Sequence, residues 1–269
     1  MFNGYKILVI GDTCIDKFQY VDCYKLSPES PAPVARVVKQ TINPGMAGNV
    51  VECLKSLAPD SKIYSLFQDK EILKERIVDI KYNHHFIRLD YEDDINRIKL
   101  DKDILKELFI YDAVIISDYN KGFLLEEDIE SILNACSIYE VPTFLDTKKK
   151  AGEFADKTFC VKINEKEYNL SPEWPLHCQN LIVTLGGDGA RFSSKFLRSI
   201  SKINGYKVDV SSIIGCGDCF LASLVLKYLE TKDFRQSIDF ANYCAAISAS
   251  KPGVFCPKQE DIQNYVFNL

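Results

Sequence analysis

The sequence predicts an α/β protein with a doubly wound, mostly parallel sheet flanked by helices and carrying a small β flap. Short apolar runs alternate with longer helical patterns along the chain. Most of these runs are continuously apolar, which is typical of strands covered on both faces. Two segments, residues 18–40 and 84–91, break this rhythm and predict the flap. We expect residues 1–269 to form a single domain with the flap inserted in it.

The predicted strands and helices follow one another in βα order, which favours a parallel sheet. Six apolar runs are the predicted strands, at Tyr5–Ile10, Ile63–Phe67, Ala113–Ser117, Thr143–Asp146, Phe159–Ile163 and Leu181–Leu185. Five helical patterns lie at Ala47–Leu57, Glu126–Tyr139, Glu165–Asn169, Asp218–Glu230 and Phe234–Ser250. Residues 189–210 have strand–turn–strand character and predict an antiparallel pair at the sheet edge. Ligands of such sheets bind beyond the carboxyl ends of the parallel strands.

The flap segments differ from the main strands in pattern. Residues 18–40 alternate and are punctuated by prolines, and residues 84–91 have the pattern of an exposed strand. A small sheet that projects from the main one is suited to act as a lid over a ligand site.

Composition and charge exclude several classes of protein. Of the 269 residues, 46% are hydrophobic and 26% are charged, which is enough to build a full core. The net charge of −5 provides no broad basic surface, so we expect no nucleic acid partner. No apolar segment is long enough to span a membrane and the start lacks signal-peptide features, so we expect a cytoplasmic protein without a membrane partner. The ten cysteines are scattered, which favours reduced core thiols.

The segment Gly215–Asp218 (GCGD) is the clearest candidate for chemistry. Two glycines allow a tight turn, and the helix predicted to begin at Asp218 adds partial positive charge, so the backbone N–H groups form an anion hole. Asp218 is placed to take a proton from a hydroxyl. An ordinary N-capped helix start explains the same residues without chemistry. Cys216 and Cys219 also form a Cys-x-x-Cys pair, but the sequence offers neither the other ligands of a zinc site nor a thioredoxin-like order of elements.

Eight segments, in order along nearly the whole chain, resemble the ribokinase-like (PfkB) carbohydrate kinase family. They are VIGDTCIDKFQYVDCYKLSPESPAPV, NPGMAGNVVECLKSL, RLDYEDD, VIISDYNKG, FLDTKK, INEKE, VTLGGDGA and GCGD. Within the family the sequence is most similar to the kinase domains that phosphorylate D-glycero-β-D-manno-heptose 7-phosphate in ADP-heptose synthesis. The resemblance implies ATP and Mg²⁺ as cofactors and transfer of the γ-phosphoryl group to a sugar or sugar-phosphate hydroxyl. The best single guess for the product is the heptose 1,7-bisphosphate.

The resemblance also implies roles for individual residues. Asp218 is the expected catalytic base, with the N–H groups of Gly215, Cys216 and Gly217 as the anion hole. The expected cofactor-binding residues, with Glu167 as the metal ligand, are Asn164, Glu165, Lys166, Glu167, Thr184, Gly186, Gly187, Gly189, Asn242 and Gly253. The expected substrate-binding residues are Asp12, Asp16, Gly45, Asn49, Arg88, Asp118 and Lys121.

Other interpretations stay open beside these. Packing and a helix stop explain Asn242 and Gly253 equally well, and Arg88 and Lys121 have the alternative of being solvated charges. The protein is alternatively a kinase for another sugar or a nucleoside, or a degenerate kinase fold that senses a ligand or binds a partner. Members of the family commonly pair the flap between subunits, and its strand edges favour such pairing, so we expect a homodimer.

The sequence departs from the family pattern at three places. Ser212 and Ile214 stand where relatives often carry an Asp and a Thr, which puts a monovalent-cation site in doubt. Met46 stands where relatives have a second glycine, and Gly48 where they have an Ala, so the sugar pocket is expected to be reshaped. Between residues 67 and 84 the chain is shorter than in relatives by roughly one βα unit.

Overall fold

The computed structural model describes residue 2 and residues 4–91 and 95–265, so the last three residues of the RLDYEDD segment lie outside the described residues. Twelve strands are present within these ranges: β1 (Lys6–Gly11), β2 (Thr13–Leu26), β3 (Pro33–Met46), β4 (Lys62–Phe67), β5 (Leu73–Asp79), β6 (His85–Tyr91), β7 (Ala113–Asp118), β8 (Thr143–Thr147), β9 (Thr158–Asn164), β10 (Cys178–Thr184), β11 (Ala190–Ser194) and β12 (Leu197–Ile203). Six α-helices accompany them: α1 (Ala47–Leu57), α2 (Lys102–Glu107), α3 (Glu126–Ile138), α4 (Glu165–Leu170), α5 (Cys216–Thr231) and α6 (Phe234–Ala249).

The main sheet has eight strands in the order β12-β11-β10-β9-β8-β7-β1-β4. The six strands from β4 to β10 in this order are parallel, and β11 and β12 are antiparallel, as the sequence predicts. The chain leaves β1 for β4 on one side and later returns to β7 on the other. This reversal of direction is the place where open α/β sheets bind ligands.

Helices cover both faces of the main sheet, and each face has its own core. Helices α1, α5 and α6 pack on one face around Val9, Leu54 and Phe144. Helix α3 covers the other face around Ile10, Ile116 and Ile132. All six residues of β7 are buried, which explains why the parallel strands are continuously apolar in the sequence.

The flap is a second sheet of four strands in the order β3-β2-β5-β6, and it is larger than predicted. Strands β2 and β3 reach from Thr13 to Met46, beyond the predicted 18–40, because they pair with each other over their whole length. Strand β5 was not predicted as a strand, and it pairs in parallel with β2. The chain passes from β4 directly into β5, so the shortening between residues 67 and 84 leaves β4 at the edge of the main sheet.

The structure also shows where the cysteines lie, whether a helix could span a membrane, and one helix that was not predicted. Seven of the ten cysteines are buried, so most of them lie in the core, as the sequence predicts. Within the part of the chain that the structure describes, no helix is long and apolar enough to cross a membrane. Helix α2 was missed by the sequence analysis, although Asp101 caps it by accepting the N–H groups of Asp103 and Ile104.

Candidate active site

The carboxyl ends of the parallel strands place polar side chains along one edge of the main sheet. Asp12 follows β1, Asp118 ends β7, and Asn164 and Thr184 end the neighbouring strands β9 and β10, where they face each other in register. Helix α5 begins at the same edge. The fold therefore collects most of the predicted site residues at the position where such sheets bind ligands.

Asp218, the predicted base, lies in the first turn of α5 and is only 5% exposed. One carboxylate oxygen accepts a hydrogen bond from Nδ2 of Asn49 at 2.9 Å, and the other accepts one from the hydroxyl of Tyr119 at 2.8 Å. Burial raises the pKa of Asp218 to about 6, against the lowering effect of these two bonds. A carboxylate with this pKa is mostly ionised at neutral pH yet far more basic than an exposed one.

The turn that opens α5 depends on a glycine at one position. Gly215 has φ of +78°, and a methyl group added there would lie 2.5 Å from Nδ2 of Asn49. The departures from the family pattern do not prevent the turn, because the Ser212 hydroxyl accepts the N–H of Ile214 at 3.3 Å. The N–H of Ser212 is in turn bonded to the carbonyl of Ala249 at 3.1 Å. The segment before the turn is thus anchored both to itself and to the end of α6.

The anion hole has fewer available N–H donors than the sequence analysis expects. The N–H of Cys216 already donates to the carbonyl of Ile213 at 3.4 Å, so this group is only weakly available to a ligand. Gly217 and Asp218 occupy the first turn of α5, where N–H groups have no acceptor four residues back inside the helix. These two groups are the better donors to an anion.

A buried lysine that the sequence analysis missed lies against this anion hole. Lys162 on β9 is 5% exposed and pairs with Asp146 at 2.5 Å. A methyl group added to Gly217 would lie 3.3 Å from its Nζ, so the ammonium group lies directly beside the turn. Its charge lowers the pKa of Asp218. The sequence signal that would have revealed Lys162 is a single lysine inside the mostly apolar strand TFCVKIN.

Tyr119 was also missed as an individual residue, although it lies in the quoted segment VIISDYNKG. Burial and the neighbouring charge of Asp218 raise its pKa well above the usual value, so its hydroxyl stays protonated and donates. Met46 packs beside it in a small cluster with Cys14 and Ile72. Met46 has φ of +55°, a conformation that costs a non-glycine residue strain, and its side chain is buried.

The residues predicted to bind the nucleotide lie mainly at the ends of β9 and β10. Asn164 and Glu167 form a capping box: the Asn164 side chain accepts the N–H of Glu167 at 2.9 Å, and Glu167 accepts the N–H of Asn164 at 2.8 Å. Glu167 also pairs with Lys148. Glu165 and Lys166 are exposed on the same short helix. Thr184 donates its hydroxyl to the carbonyl of Ile163 at 3.3 Å.

The Gly-rich turn after β10 fits tightly against the end of β12. Gly189 has φ of +92°, and a methyl group there would lie 2.1 Å from the carbonyl oxygen of Ile203. Gly186 has φ of +61°, and neither it nor Gly187 has any described atom near the position of an added methyl group. Bare backbone on that side is compatible with close approach of a nucleotide.

Asn242 and Gly253 have contacts that favour the packing interpretation. The Asn242 amide donates to the carbonyls of Ile203 at 3.4 Å and Asn204 at 3.2 Å and is 6% exposed, so it holds the end of β12. Gly253 has φ of +75°, and a methyl group there would lie 3.4 Å from the hydroxyl of Tyr20 on the flap. The structure therefore brings Gly253 to the flap side of the site.

The described residues fit a magnesium ion only in part. No group of three His, Cys, Asp or Glu side chains suited to a metal is present in residues 4–91 and 95–265. Mg²⁺ usually keeps several waters and takes one or two carboxylates together with substrate phosphates. Glu167, partly buried beside Lys148, fits such a single carboxylate and does not form a protein cage.

Two of the residues predicted to bind the sugar, Asp12 and Asp16, have a buried carboxylate oxygen without a hydrogen-bond partner among the described residues. Asp12 is fully buried; one of its oxygens accepts the N–H groups of Tyr119 at 2.7 Å and Lys121 at 3.3 Å, and the other has no hydrogen-bond partner among the described residues. Burial is the main cause that raises the pKa of Asp12, and the negative charge of Asp118 raises it further. An unpartnered buried oxygen is costly and is readily satisfied by a sugar hydroxyl.

Asp16 lies on β2 beside Arg76 of the flap. The guanidinium lies 2.9 Å from Oδ1 of Asp16, but that oxygen receives no hydrogen bond from the described residues, so the contact is a charge contact. Burial raises the pKa of Asp16, and Arg76 opposes this rise. A methyl group on Gly45 would lie 2.6 Å from Asp16, so only glycine fits at this position.

Asp118, predicted to bind substrate, is oriented into the protein. Its carboxylate oxygens accept hydrogen bonds from Nζ of Lys149 at 2.8 Å, from the hydroxyl of Thr147 at 2.5 Å and from the N–H of Asn120 at 3.0 Å. The residue is 1% exposed. It orders the loop that carries Tyr119. A direct contact of this side chain with substrate stays a prediction.

A cavity of about 660 Å³ lies between the flap and the segment that leads to Gly215. Its polar and charged lining side chains are Arg76, Asn83, His85, Arg88, Ser211 and Ser212. Arg88 also pairs with Asp90 at 2.7 Å. No carboxylate lines the cavity among the described residues, so its lining is suited to an anionic group.

Comparison with known proteins agrees with this geometry. A model described as the pfkB family of carbohydrate kinases matches residues 91–260. Bifunctional protein HldE of a Nitratiruptor species is 28% identical over 97% of this chain and 64% of its own length. HldE of Helicobacter pylori is 29% identical, with 96% and 65% covered. This chain therefore spans less than two thirds of the length of these curated relatives.

The solved structures confirm the predicted fold class. Arabidopsis thaliana ribokinase, in a complex with ribose and ATP, has a TM-score of 0.73 to this structure at 12% identity, with 96% of this chain and 97% of ribokinase covered. At this level of identity the likeness shows the ribokinase-like fold alone.

Proposed function

The chain belongs to the pfkB family of carbohydrate kinases, and from this premise we propose that it transfers the γ-phosphoryl group of ATP to a hydroxyl of a sugar phosphate. It is accordingly a phosphotransferase with an alcohol group as acceptor. The observation that carries the proposal is Asp218, a buried carboxylate with a pKa of about 6 at the N-terminal turn of α5.

The proposed reaction begins with the acceptor hydroxyl next to Asp218. The carboxylate takes the hydroxyl proton as the oxygen attacks phosphorus, and Asn49 and Tyr119 hold it in one orientation. The N–H groups of Gly217 and Asp218 and the ammonium group of Lys162 face the charge on the transferred group. Phosphoryl transfer needs positioning and charge neutralisation above all, which this arrangement supplies.

Mg²⁺ is a proposed cofactor, with Glu167 as the residue that would hold it through bound water. When bound, Mg²⁺ supplies neutralisation of charge on the nucleotide phosphates. Lys148 lies beside Glu167 and is placed to pair with the same phosphates. Asn164 fixes the Glu167 carboxylate through the capping box.

The proposed acceptor is D-glycero-D-manno-heptose 7-phosphate, converted to the 1,7-bisphosphate. Two features support a phosphorylated sugar. The chain is similar to HldE proteins over nearly its whole length, and the cavity beside the flap is lined by Arg76, Arg88 and hydroxyl groups without a carboxylate among the described residues. Asp12 and Asp16 face the sugar hydroxyls in this proposal, while the cavity takes the phosphate.

A substrate panel tests the proposal. We expect ATP consumption with heptose 7-phosphate to exceed that with the unphosphorylated heptose, with hexoses and with nucleosides. Asp218→Asn should reduce kcat by about 10²-fold or more, and Asp60→Asn, which changes an exposed acid in the turn between α1 and β4, serves as the charge control. An Asp218→Asn enzyme as active as wild type refutes the assigned base. Calorimetric binding of ATP or sugar without product anywhere in the panel favours the ligand-sensing alternative.

We also propose that two copies pair through the flap. Several large apolar side chains are exposed on it: Leu26, Val37, Val38, Ile42, Phe86 and Ile87. A patch of this kind on a projecting sheet is a liability unless it is covered. Light scattering at micromolar concentration should give a dimer, and Val38→Lys together with Ile42→Lys should give a monomer. A monomeric wild type refutes this pairing.

A further inference from the structure

Two cysteines far apart in the sequence lie side by side behind the catalytic base. Sγ of Cys53 on α1 lies 2.8 Å from Sγ of Cys256 in the segment after α6. Cys53 is fully buried, whereas Cys256 is only half-buried, so small reagents reach the pair from the Cys256 side. The Ser56 hydroxyl donates to the carbonyl of Cys256 at 3.3 Å and keeps the two segments together.

The same thiol pair contacts the residue that positions the base. Cys53 follows Asn49 by one turn of α1. Sγ of Cys256 donates to Oδ1 of Asn49 at 3.5 Å, and Nδ2 of the same amide donates to Asp218 at 2.9 Å. A continuous chain of contacts therefore leads from a half-buried thiol to the carboxylate of Asp218.

We propose that Cys53 and Cys256 form a modification site for peroxides, at which a disulfide forms and lowers the activity of the enzyme by displacing Asn49. The modification itself is independent of what the protein phosphorylates. Its effect on activity rests on the proposed function.

The chemistry needs one equivalent of hydrogen peroxide as the oxidant. The Cys256 thiolate attacks one peroxide oxygen, the O–O bond breaks, and Cys256 sulfenic acid and hydroxide form; this hydroxide takes up the proton that the thiol had released. The sulfur of Cys53 then attacks the sulfur of the sulfenic acid and displaces hydroxide, which takes the Cys53 proton and leaves as water. Two thiols are oxidised by two electrons in total, and one peroxide is reduced to two waters.

The structure favours this pair over the other thiols near the site. Cys216 lies in the turn before Asp218, but burial raises its pKa to about 11, which disfavours the reactive thiolate. Cys219 and Cys244 are fully buried. Cys53 is fully buried and burial raises its pKa well above the usual value, so the half-buried Cys256 is the thiol that meets the peroxide first.

Disulfide formation changes the surroundings of Asn49 in two ways. A disulfide bond is about 2.0 Å long, so the two sulfurs must approach by roughly 0.8 Å from their present separation. Cys256 also loses the S–H that it donates to Oδ1 of Asn49. The amide is then free to turn, and the hydrogen bond that holds Asp218 weakens.

The test combines peptide mapping with activity. Wild-type protein is treated with hydrogen peroxide, and disulfide-linked peptides are identified by mass spectrometry. We expect a Cys53–Cys256 link, loss of two of the ten free thiols, a fall in activity on the order of tenfold, and recovery with dithiothreitol. Cys256→Ser should lose no activity under the same treatment relative to its own untreated sample. Cys23→Ser, a half-buried thiol on the flap, is the matched control and should behave as wild type.

Each of the other outcomes contradicts part of the proposal. Absence of the link, or a Cys53–Cys219 link in its place, overturns the site whether or not the protein is a kinase. A link without loss of activity overturns the effect on Asn49. Equal inactivation of Cys256→Ser and wild type assigns the sensitivity to another thiol. A wild type that is inactive on every acceptor refutes the proposed function, and the mapping still decides whether the thiols react.

Discussion

The two walls of the cleft are held by different forces. The wall formed by the main sheet is fixed by backbone geometry, with parallel strand ends, the Gly215 turn and the first turn of α5. The flap wall adds charged pairs to the backbone pairing of its strands, such as Arg76 with Asp16 and Lys17 with Glu75. Backbone geometry leaves little freedom to the base and the anion hole. Charged pairs are more easily exchanged, so we expect substrate choice to vary on the flap and chemistry to stay with the sheet.

The largest effect is expected at Lys162. Lys162→Met removes the close partner of the buried Asp146 and leaves it only Lys148 at 3.9 Å, which should lower the free energy of unfolding by about 3–5 kcal/mol. Because the lysine charge lowers the pKa of Asp218, its removal should also move the acid limb of the pH–kcat profile to higher pH. Urea unfolding and a pH–rate series measure the two effects.

Lys149→Met is the matched control for Lys162. Lys149 is 8% exposed at its side chain and pairs with Asp118 at 2.8 Å, so it is a second buried ammonium–carboxylate pair at the same sheet edge. We expect a similar loss of stability without a shift of the acid limb. Equal shifts in both variants contradict a specific role of Lys162 beside the anion hole.

Gly215→Ala should have the next largest effect. The new methyl group meets Asn49 at 2.5 Å and the residue has a positive φ. We therefore expect a loss of about 2–3 kcal/mol in unfolding free energy and a fall in kcat of about tenfold or more. Gly4→Ala separates the two causes, because Gly4 has φ of +63° with open space around the added methyl group. Equal losses of unfolding free energy in the two variants would show that the contact of the added methyl group with Asn49 does not contribute to the loss.

Tyr119→Phe tests how the main-sheet wall sets the pKa of the base. The Tyr119 hydroxyl bond lowers the pKa of Asp218, so its loss should raise that pKa above about 6. Activity needs the ionised carboxylate and falls as pH drops through the pKa, so the acid limb should move upward by up to about one pH unit. Tyr206→Phe, which loses a bond to Asp239 at 3.0 Å away from the site, should leave the limb in place.

The smallest structural effect is expected on the flap. Arg88→Gln removes one partner of an exposed pair and should change the unfolding free energy by less than about 1 kcal/mol. We expect KM for the sugar phosphate to rise about tenfold with little change in KM for ATP. Arg36→Gln, with an exposed pair to Asp22 at 3.7 Å on the same sheet, is the control. A uniform rise in both KM values contradicts the assignment of the phosphate to the flap cavity.

The contrast between the walls also explains what the sequence predicts. Strands such as Ala113–Asp118 are buried on both faces, so their apolar runs are visible without a structure. Strand β5 (LKERIVD) was missed because its charged residues are buried in pairs with β2, and no periodicity shows such pairs. Asp218 was found through its glycines. Lys162 was missed because the partners that hold it come from other strands.

Individual roles were harder to predict than positions. Asp118 lies at the expected sheet edge, yet Thr147 and Lys149 use its oxygens, and this depends on the neighbouring strand β8. Asn242 was expected near the nucleotide and holds the end of β12. Both cases show that a motif predicts the position of a residue in the fold. The partners of its side chain come from elements that are distant in the sequence.

The parallel pairing of β2 with β5 has a consequence for folding. Residues 15–21 pair with residues 73–79, so the flap is completed only after the chain has returned from β4. Pairing over such a separation is slow because the intervening loop must first be closed. We therefore expect the β2–β5 pair to gain its protection from amide hydrogen exchange later during refolding than the β2–β3 hairpin, which closes where Leu26 pairs with Pro33. In a newly made chain the flap strands, which end at Tyr91, emerge before the turn at Gly215, so the lid and the anion hole are acquired at different times.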